Sequence, residues 1–254
     1  MKLIHSAILG AVQGITEFLP VSSSGHLVII QNIFGLKGDI LFDCAVHIGT
    51  LIAVFVYFFK DIKGILRSLF SFSKEDPDFL LLKDIAAGTF TTAIIGFSFK
   101  RFFENLFYSA KTAAFMLLIT GAILALSRFI PEGKKKRVGI LNSILIGMAQ
   151  AAAIIPGISR SGITIVCGLL CGLEREVSAR FSFLLSIPAI LGAFLLEIKD
   201  AKSFSIFPIL IGTSVSAIVG FLSLKFLIDT IKRGKLYYFS FYCFLVGIFV
   251  AVCA

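Results

Sequence analysis

The chain has 254 residues, of which 57% are hydrophobic and 15% charged, with a net charge of +9. A soluble domain carries about 25% charged residues, and several runs here reach the roughly 20 apolar residues that cross a bilayer. A soluble enzyme is therefore excluded, and the basic charge needs no nucleic acid: Lys and Arg of a polytopic membrane protein gather in its cytoplasmic loops, beside anionic headgroups.

In chain order, residues 6–19 predict an apolar half-helix, too short for a hydrocarbon core of about 30 Å. Pro20 ends it. Ser22, Ser23 and Ser24 can cap a second half-helix over 24–35 that stops at Gly35. Lys2 and the apolar run imitate a signal peptide, but Gln13 and Glu17 interrupt its core; an uncleaved segment is expected. Residues 41–59 predict the first span. Residues 60–83 predict a long basic loop, whose start (Lys60 to Phe70) has amphipathic spacing for the membrane surface and whose residues 74–78 form a solvated turn. Spans two and three are predicted at 84–99 and 112–128. A basic stretch, Pro131 to Arg137, separates the halves. A second hairpin is predicted over 143–172, with spans four to six at 178–197, 205–228 and 236–253. Tyr57, Tyr108, Tyr237 and Tyr238 fall at span ends, where interfacial anchors belong. Cys44, Cys167, Cys171, Cys243 and Cys253 lie in apolar segments and read as packing residues.

The two hairpins share a design. Shifted by 137 positions, Gly10 falls on Gly147, Gln13 on Gln150, Ser22 on Ser159, Ser24 on Ser161, Gly25 on Gly162, and Gly35-Leu36 on Gly172-Leu173. The matches cluster on the polar loops, which apolar composition does not explain, so they read as an internal duplication. The fold class expected is an all-α polytopic membrane protein with two repeats, residues 1–130 (hairpin 6–36) and 131–254 (hairpin 143–172). Each repeat is a re-entrant hairpin plus three spans. Three is odd, so the repeats are inverted and their loops meet near the midplane. Most of the 24 Lys and Arg fall on the side of the loops after spans one, three and five. That side is expected in the cytoplasm, with both termini outside.

Gln13 and Glu17 are four apart on one helix face. A carboxylate there is costly and usually functional. It could pair with Arg160, orient a histidine or hold a metal. Arg160 is the cation of the second hairpin's apolar part, suited to bidentate phosphate binding. Ser159, Ser161 and the N–H groups of the following helix start flank it, and Thr164 is one turn on. Ser22, Ser23, Ser24 and His26 stand at the other helix start. His26 suits a general base that activates a serine, or a nucleophile itself. His47, just after Asp43, either supports the site or packs its helix. His5 reads as interfacial. Soluble motifs are absent: there is no GxxxxGK[ST] loop and no HExxH, and Gly157-Ile-Ser159-Arg-Ser161 lacks the last Gly of a nucleophile elbow.

Gln13-x-x-x-Glu17 with Phe18-Leu-Pro-Val-Ser-Ser-Ser-Gly-His26, Pro156-Gly-Ile-Ser-Arg-Ser-Gly-Ile-Thr164 and Phe42-Asp-Cys-Ala-Val-His47-Ile-Gly-Thr50 together resemble the undecaprenyl-pyrophosphate phosphatase family of the bacitracin-resistance type. The resemblance covers essentially the whole chain. It implies an integral-membrane lipid diphosphatase of the bacterial cytoplasmic membrane, with its active site outside. Such an enzyme hydrolyses undecaprenyl diphosphate to the monophosphate and phosphate, recycling the carrier for peptidoglycan synthesis and conferring bacitracin resistance. By position, the implied catalytic residues are Glu17, Ser23, His26 and Arg160. Gln13, Ser22, Ser24, Gly157, Ser159, Ser161 and Thr164 are expected to line the substrate site, and Glu17 to hold a divalent cation, Mg²⁺ or Ca²⁺. Gln at position 13 removes a two-carboxylate clamp. The expected partners are a long-chain polyprenyl diphosphate and the membrane; a homodimer is an open expectation. The readings of another class are a polyprenyl-phosphate flippase or other transporter, suggested by broken helices in inverted repeats, and a structural scaffold, which leaves Glu17 and Arg160 without purpose.

Overall fold

The computed structural model describes residues 2–36, 40–71, 75–99, 102, 110–197 and 206–253. Helices dominate: α1 (Leu3–Phe18), α2 (Ser23–Ile33), α3 (Ile40–Tyr57), α4 (Phe59–Ser71), α5 (Pro77–Ser98), α6 (Ala110–Leu126), α7 (Ile140–Ala152), α8 (Arg160–Leu170), α9 (Arg175–Glu197), α10 (Ile206–Lys232) and α11 (Phe239–Cys253). Among the described residues, five helices are long and apolar enough to cross a membrane. A sixth apolar run, Leu236–Val252, is shorter. Large apolar side chains such as Phe70, Phe129, Leu141 and Phe207 are bare on the outer surface. In water such a surface would aggregate; in lipid it is the solvated face. The protein is a multi-pass membrane protein.

Two paired short helices occupy the expected hairpin positions. α2 and α8 are 11 residues each and start 137 positions apart. Their first arms, α1 and α7, have 16 and 13 residues, well short of a span.

One stretch differs from expectation. Within the predicted loop 60–83, the amphipathic start is helix α4, in line with its spacing, whereas residues 77–83 are not loop but the start of α5. The Asp76 side chain accepts from the Asp78 N–H at 3.0 Å, and Pro77 occupies the first helical turn. This cap starts α5 about two turns early. The turn at 74–78 is thereby a helix start; Lys74 and Tyr108 lie outside the described residues. The early turns also bury Asp84, which accepts from the Gly139 N–H at 2.9 Å and so anchors the entry to α7.

Close helix crossings set the hairpins in place. Gly10 of α1 lies on the backbone of Gly212 in α10, and Gly147 of α7 on that of Gly88 in α5. Small residues let membrane helices approach to backbone contact. Contacts progress in step along each pair: Gly10 with Gly212 and Gly14 with Gly220; Gly147 with Gly88 and Gly96 with Ile154. Thus α1 runs alongside α10 in the same direction, and α7 alongside α5. The largest apolar cluster takes Phe18 and Val21 from the first hairpin, Ile165 and Val166 from the second, and Phe183, Leu184, Leu224 and Leu227 from α9 and α10. Phe18 meets Phe183 edge-on at 5.8 Å between centroids. This shared core presses the two hairpin loops together.

Candidate active site

Where the hairpins meet, Pro20 lies against Gly162, and the Pro20 carbonyl accepts the Cys243 thiol at 3.4 Å. Helix α1 ends at Phe18 because Pro20 cannot continue it. The chain then turns through Ser22, a buried residue at φ 68° and ψ 94°. Left-handed backbone costs a non-glycine residue about 1–2 kcal/mol. That twist aims the start of α2 back at the last turn of α1. The Ser22 side chain makes no cap bond, so the expected serine cap is absent from this helix. Its counterpart Ser159 does cap α8, its Oγ accepting from the Gly162 N–H at 3.2 Å.

Glu17 is the hub. Its side chain is 7% exposed. Oε2 accepts from Ser23 Oγ at 2.7 Å and from Gln13 Nε2 at 3.1 Å. Oε1 accepts from the Arg160 guanidinium. His47 Nε2 stands 3.7 Å from Oε2. The i, i+4 spacing of Gln13 and Glu17 produces their contact; the Arg160 contact spans 143 residues of sequence. One carboxylate therefore joins both hairpins and α3. A buried ion pair is only as good as its remaining hydrogen bonds, and here the carboxylate carries three donors.

His26 points elsewhere. Its Nδ1 is 2.8 Å from the Ser22 carbonyl, and its Nε2 is 2.6 Å from the Tyr242 hydroxyl, with the two rings stacked. A carbonyl only accepts, so Nδ1 donates to it, and Nε2 shares its hydrogen bond with the Tyr242 hydroxyl. Among the described residues no hydrogen bond joins His26 to Ser23 or Glu17. The contacts in which His26 would activate Ser23 and Glu17 would orient His26 are not formed; Ser23 meets Glu17 directly. The reason is local: the Ser22 carbonyl holds the imidazole edge to its own helix start.

On the second loop, Gly157 adopts φ 95° and lies on the backbone of Ala113, where a side chain has neither room nor an allowed conformation. Thr120 of α6 secures this turn. Its hydroxyl donates to the Gly157 carbonyl at 2.9 Å and accepts from the Ser159 N–H at 3.1 Å. Ser159 and Ser161 hydroxyls are 3.3 Å apart and both are buried. Thr164 is fully buried, bonded to the Arg160 carbonyl at 2.8 Å and to Ser182 Oγ at 2.6 Å. It braces α8 on α9 rather than facing Glu17. Ser24 is exposed. Sequence reading missed Tyr242, Thr120 and Ser182, which carry no motif and arrive from distant helices.

The donor set around Glu17 does not suit Mg²⁺ or Ca²⁺. Among the described residues no three His, Cys, Asp or Glu side chains converge. Both Glu17 oxygens already receive N–H or O–H donors, one of them cationic. A dication on Glu17 would have to displace or face the guanidinium. The residues do not fit a cation ligated by Glu17.

Known proteins resemble the chain along essentially its whole length. The family described as bacitracin resistance protein BacA matches residues 6–249. A protein of Halothermothrix orenii named undecaprenyl-diphosphatase is 44% identical over 262 residues, covering 100% of this chain and 99% of its own length. Proteins of the same name from Carboxydothermus hydrogenoformans and Methanobrevibacter smithii are 43% and 41% identical, covering 99% and 98% of this chain and 97% of their own lengths. With the profile matched from the first hairpin to the last helix, the chain belongs to the bacitracin resistance protein BacA family.

Proposed function

We propose that this protein is an undecaprenyl-diphosphate phosphatase of the inner membrane. It recycles the lipid carrier for peptidoglycan synthesis and thereby confers bacitracin resistance. The observation that carries the reading is the Ser23–Glu17–Arg160 constellation: a hydroxyl on a carboxylate at 2.7 Å, locked to a guanidinium from the other hairpin. Ser23 Oγ attacks the terminal phosphorus and gives its proton to Glu17. The bond from that phosphorus to the bridging oxygen breaks, and undecaprenyl phosphate leaves. Water then cleaves the phosphoserine. Arg160, 18% exposed, has further N–H groups for phosphate oxygens, and the start of α8 adds N–H groups and a positive dipole end. These donors stabilise charge on the transferring group. The polyprenyl chain stays in the bilayer. A divalent cation, Mg²⁺ or Ca²⁺, would supply neutralisation of diphosphate charge without Glu17 as its ligand.

The opposite running of the two hairpins belongs to the same reading. α1 follows α10 and α3, with Phe42 on Gly212 and Ala53 by Gly220, whereas α7 follows α5. Asp61 of α4 pairs with Arg180 of α9, and Phe58, between α3 and α4, stacks on Phe183. The parallel runs of α1 with α10 and of α7 with α5, together with the charge bias, support a reading of inverted repeats over 1–130 and 131–254, with the site reached from outside and both termini outside. A cysteine introduced at Lys135 is expected to stay unlabelled by an impermeant reagent outside the cell; labelling there reverses the orientation.

The flippase reading draws no support, since the relatives' names state a diphosphatase. The decisive measurement is phosphate release from a long-chain prenyl diphosphate by pure protein in detergent. Acid quenching should trap phosphate on Ser23. Release with no label on Ser23, and full activity of Ser23→Ala, would remove the serine from the mechanism.

A further inference from the structure

His47 sits on α3, one turn after Asp43, and its Nδ1 is 2.7 Å from the Asp43 carbonyl. The carbonyl only accepts, so Nδ1 bears a hydrogen, and Nε2 is the nitrogen that gains or loses a proton; it faces Glu17 Oε2, 3.7 Å away. That oxygen is the one that receives the Ser23 hydroxyl. The two imidazoles near the site thus differ. Nε2 of His26 is occupied by Tyr242, whereas Nε2 of His47 faces the carboxylate. Exposure also differs along the path: the His47 side chain is 33% exposed and that of Glu17 7%.

The surroundings of His47 leave few other proton partners. From α1 comes Glu17, and from α8 Arg160, on the far carboxylate oxygen. From α10, Thr213 and Ser216 donate to the Ala45 and Val46 carbonyls at 3.1 and 2.7 Å, and neither titrates near neutral pH. On its own helix, the Asp43 carboxylate accepts from Gln31 Nε2 at 2.7 Å.

We infer that His47 is the proton acceptor behind Glu17, a positioning residue that acts through that carboxylate. Three donors on Glu17 compete with any proton it receives from Ser23, and a neutral imidazole beside it relieves that competition. As the Ser23 O–H bond breaks and Oγ bonds to phosphorus, the proton goes to Glu17 Oε2. It then passes to His47 Nε2 and leaves through the exposed ring edge to water. The imidazolium formed between these transfers sits beside the carboxylate it has regenerated. This rests on the reading of Ser23 as nucleophile.

The test is His47→Gln and His47→Ala in the full-length protein, assayed on a long-chain prenyl diphosphate across pH. General base assistance is worth about 10²–10⁴-fold. The glutamine fills the space but takes no proton, so kcat should fall about a hundredfold with KM within about twofold. The fall of the wild-type rate toward acid pH should move to lower pH in His47→Gln, because only protonation of Glu17 is then left to stop the reaction. Added imidazole should restore part of the rate of His47→Ala. If His47→Gln keeps kcat and the acid limb while Ser23→Ala is dead, the inference fails and the site reading stands. A slow His47→Gln with the acid limb intact, and no imidazole rescue of His47→Ala, also overturns it, leaving His47 a packing residue. Full activity of Ser23→Ala instead sinks the site reading itself.

Discussion

Arg160→Ala should lower phosphate release by about a thousandfold or more. A single donor aimed at developing negative charge is worth about 10²–10³ in rate, and a guanidinium on a transferring phosphoryl group about 10³–10⁵. The substitution has a second effect. It strands Glu17, 7% exposed, and breaking a buried pair by removing one partner costs about 3–5 kcal/mol. Activity and stability must therefore be read apart. Glu17→Gln combined with Arg160→Ala removes both charges and should recover much of the melting temperature in detergent, but none of the activity. Arg160→Lys keeps the charge and loses the fork, so it should hold stability better than rate. If Arg160→Ala folds and retains wild-type kcat/KM, the guanidinium does not touch the reacting phosphate and the Glu17 pair is purely structural.

The second large effect concerns stability. Gly147→Ala and Gly10→Ala should each destabilise the fold by about 1–3 kcal/mol or more, as overpacked cores do, and so lower the thermal midpoint sharply. A β-carbon on Gly147 would lie 2.9 Å from the Gly88 Cα and 2.5 Å from its carbonyl oxygen, and one on Gly10 would lie 3.1 Å from the Gly212 Cα. The obstacle is backbone in both cases, so no side chain can rotate away. Gly192→Ala is the control. Nothing lies within 4 Å of its would-be β-carbon, and alanine in a helix interior is favoured over glycine by about 0.5–1 kcal/mol. Circular dichroism melts in one detergent compare the three. Equal midpoints for Gly147→Ala and Gly192→Ala would falsify the backbone crossing. Loss at Gly147 should also lower activity, because α7 carries the loop that presents Arg160.

The sequence was strong where local chemistry acts alone. Pro20 and the apolar length of residues 6–19 were enough to mark a broken helix, because a bilayer sets a length and proline removes a donor. The 137-residue offset marked a second loop of the same kind, and α2 and α8 begin at that offset. Gln13 beside Glu17 followed from helical pitch. The amphipathic helix at 60–70 was legible from its spacing, while the start of α5 was not: Asp76 and Pro77 read as a turn until the helix they cap is seen.

Composition and motif by themselves determined a membrane protein with two polar hairpins holding Glu17, Ser23, His26 and Arg160. Tertiary structure alone decided which of these touch. On the sequence, His26 and Ser23 share one helix start, which left His26 open as a base for a serine or as a nucleophile itself. The fold instead gave His26 to Tyr242, 216 residues away, and brought Glu17 to Ser23, Arg160 and His47. The physical reason is that a side chain's partner is set by which backbones can approach. Those approaches depend on glycine crossings and a shared core between distant helices, which no local pattern encodes.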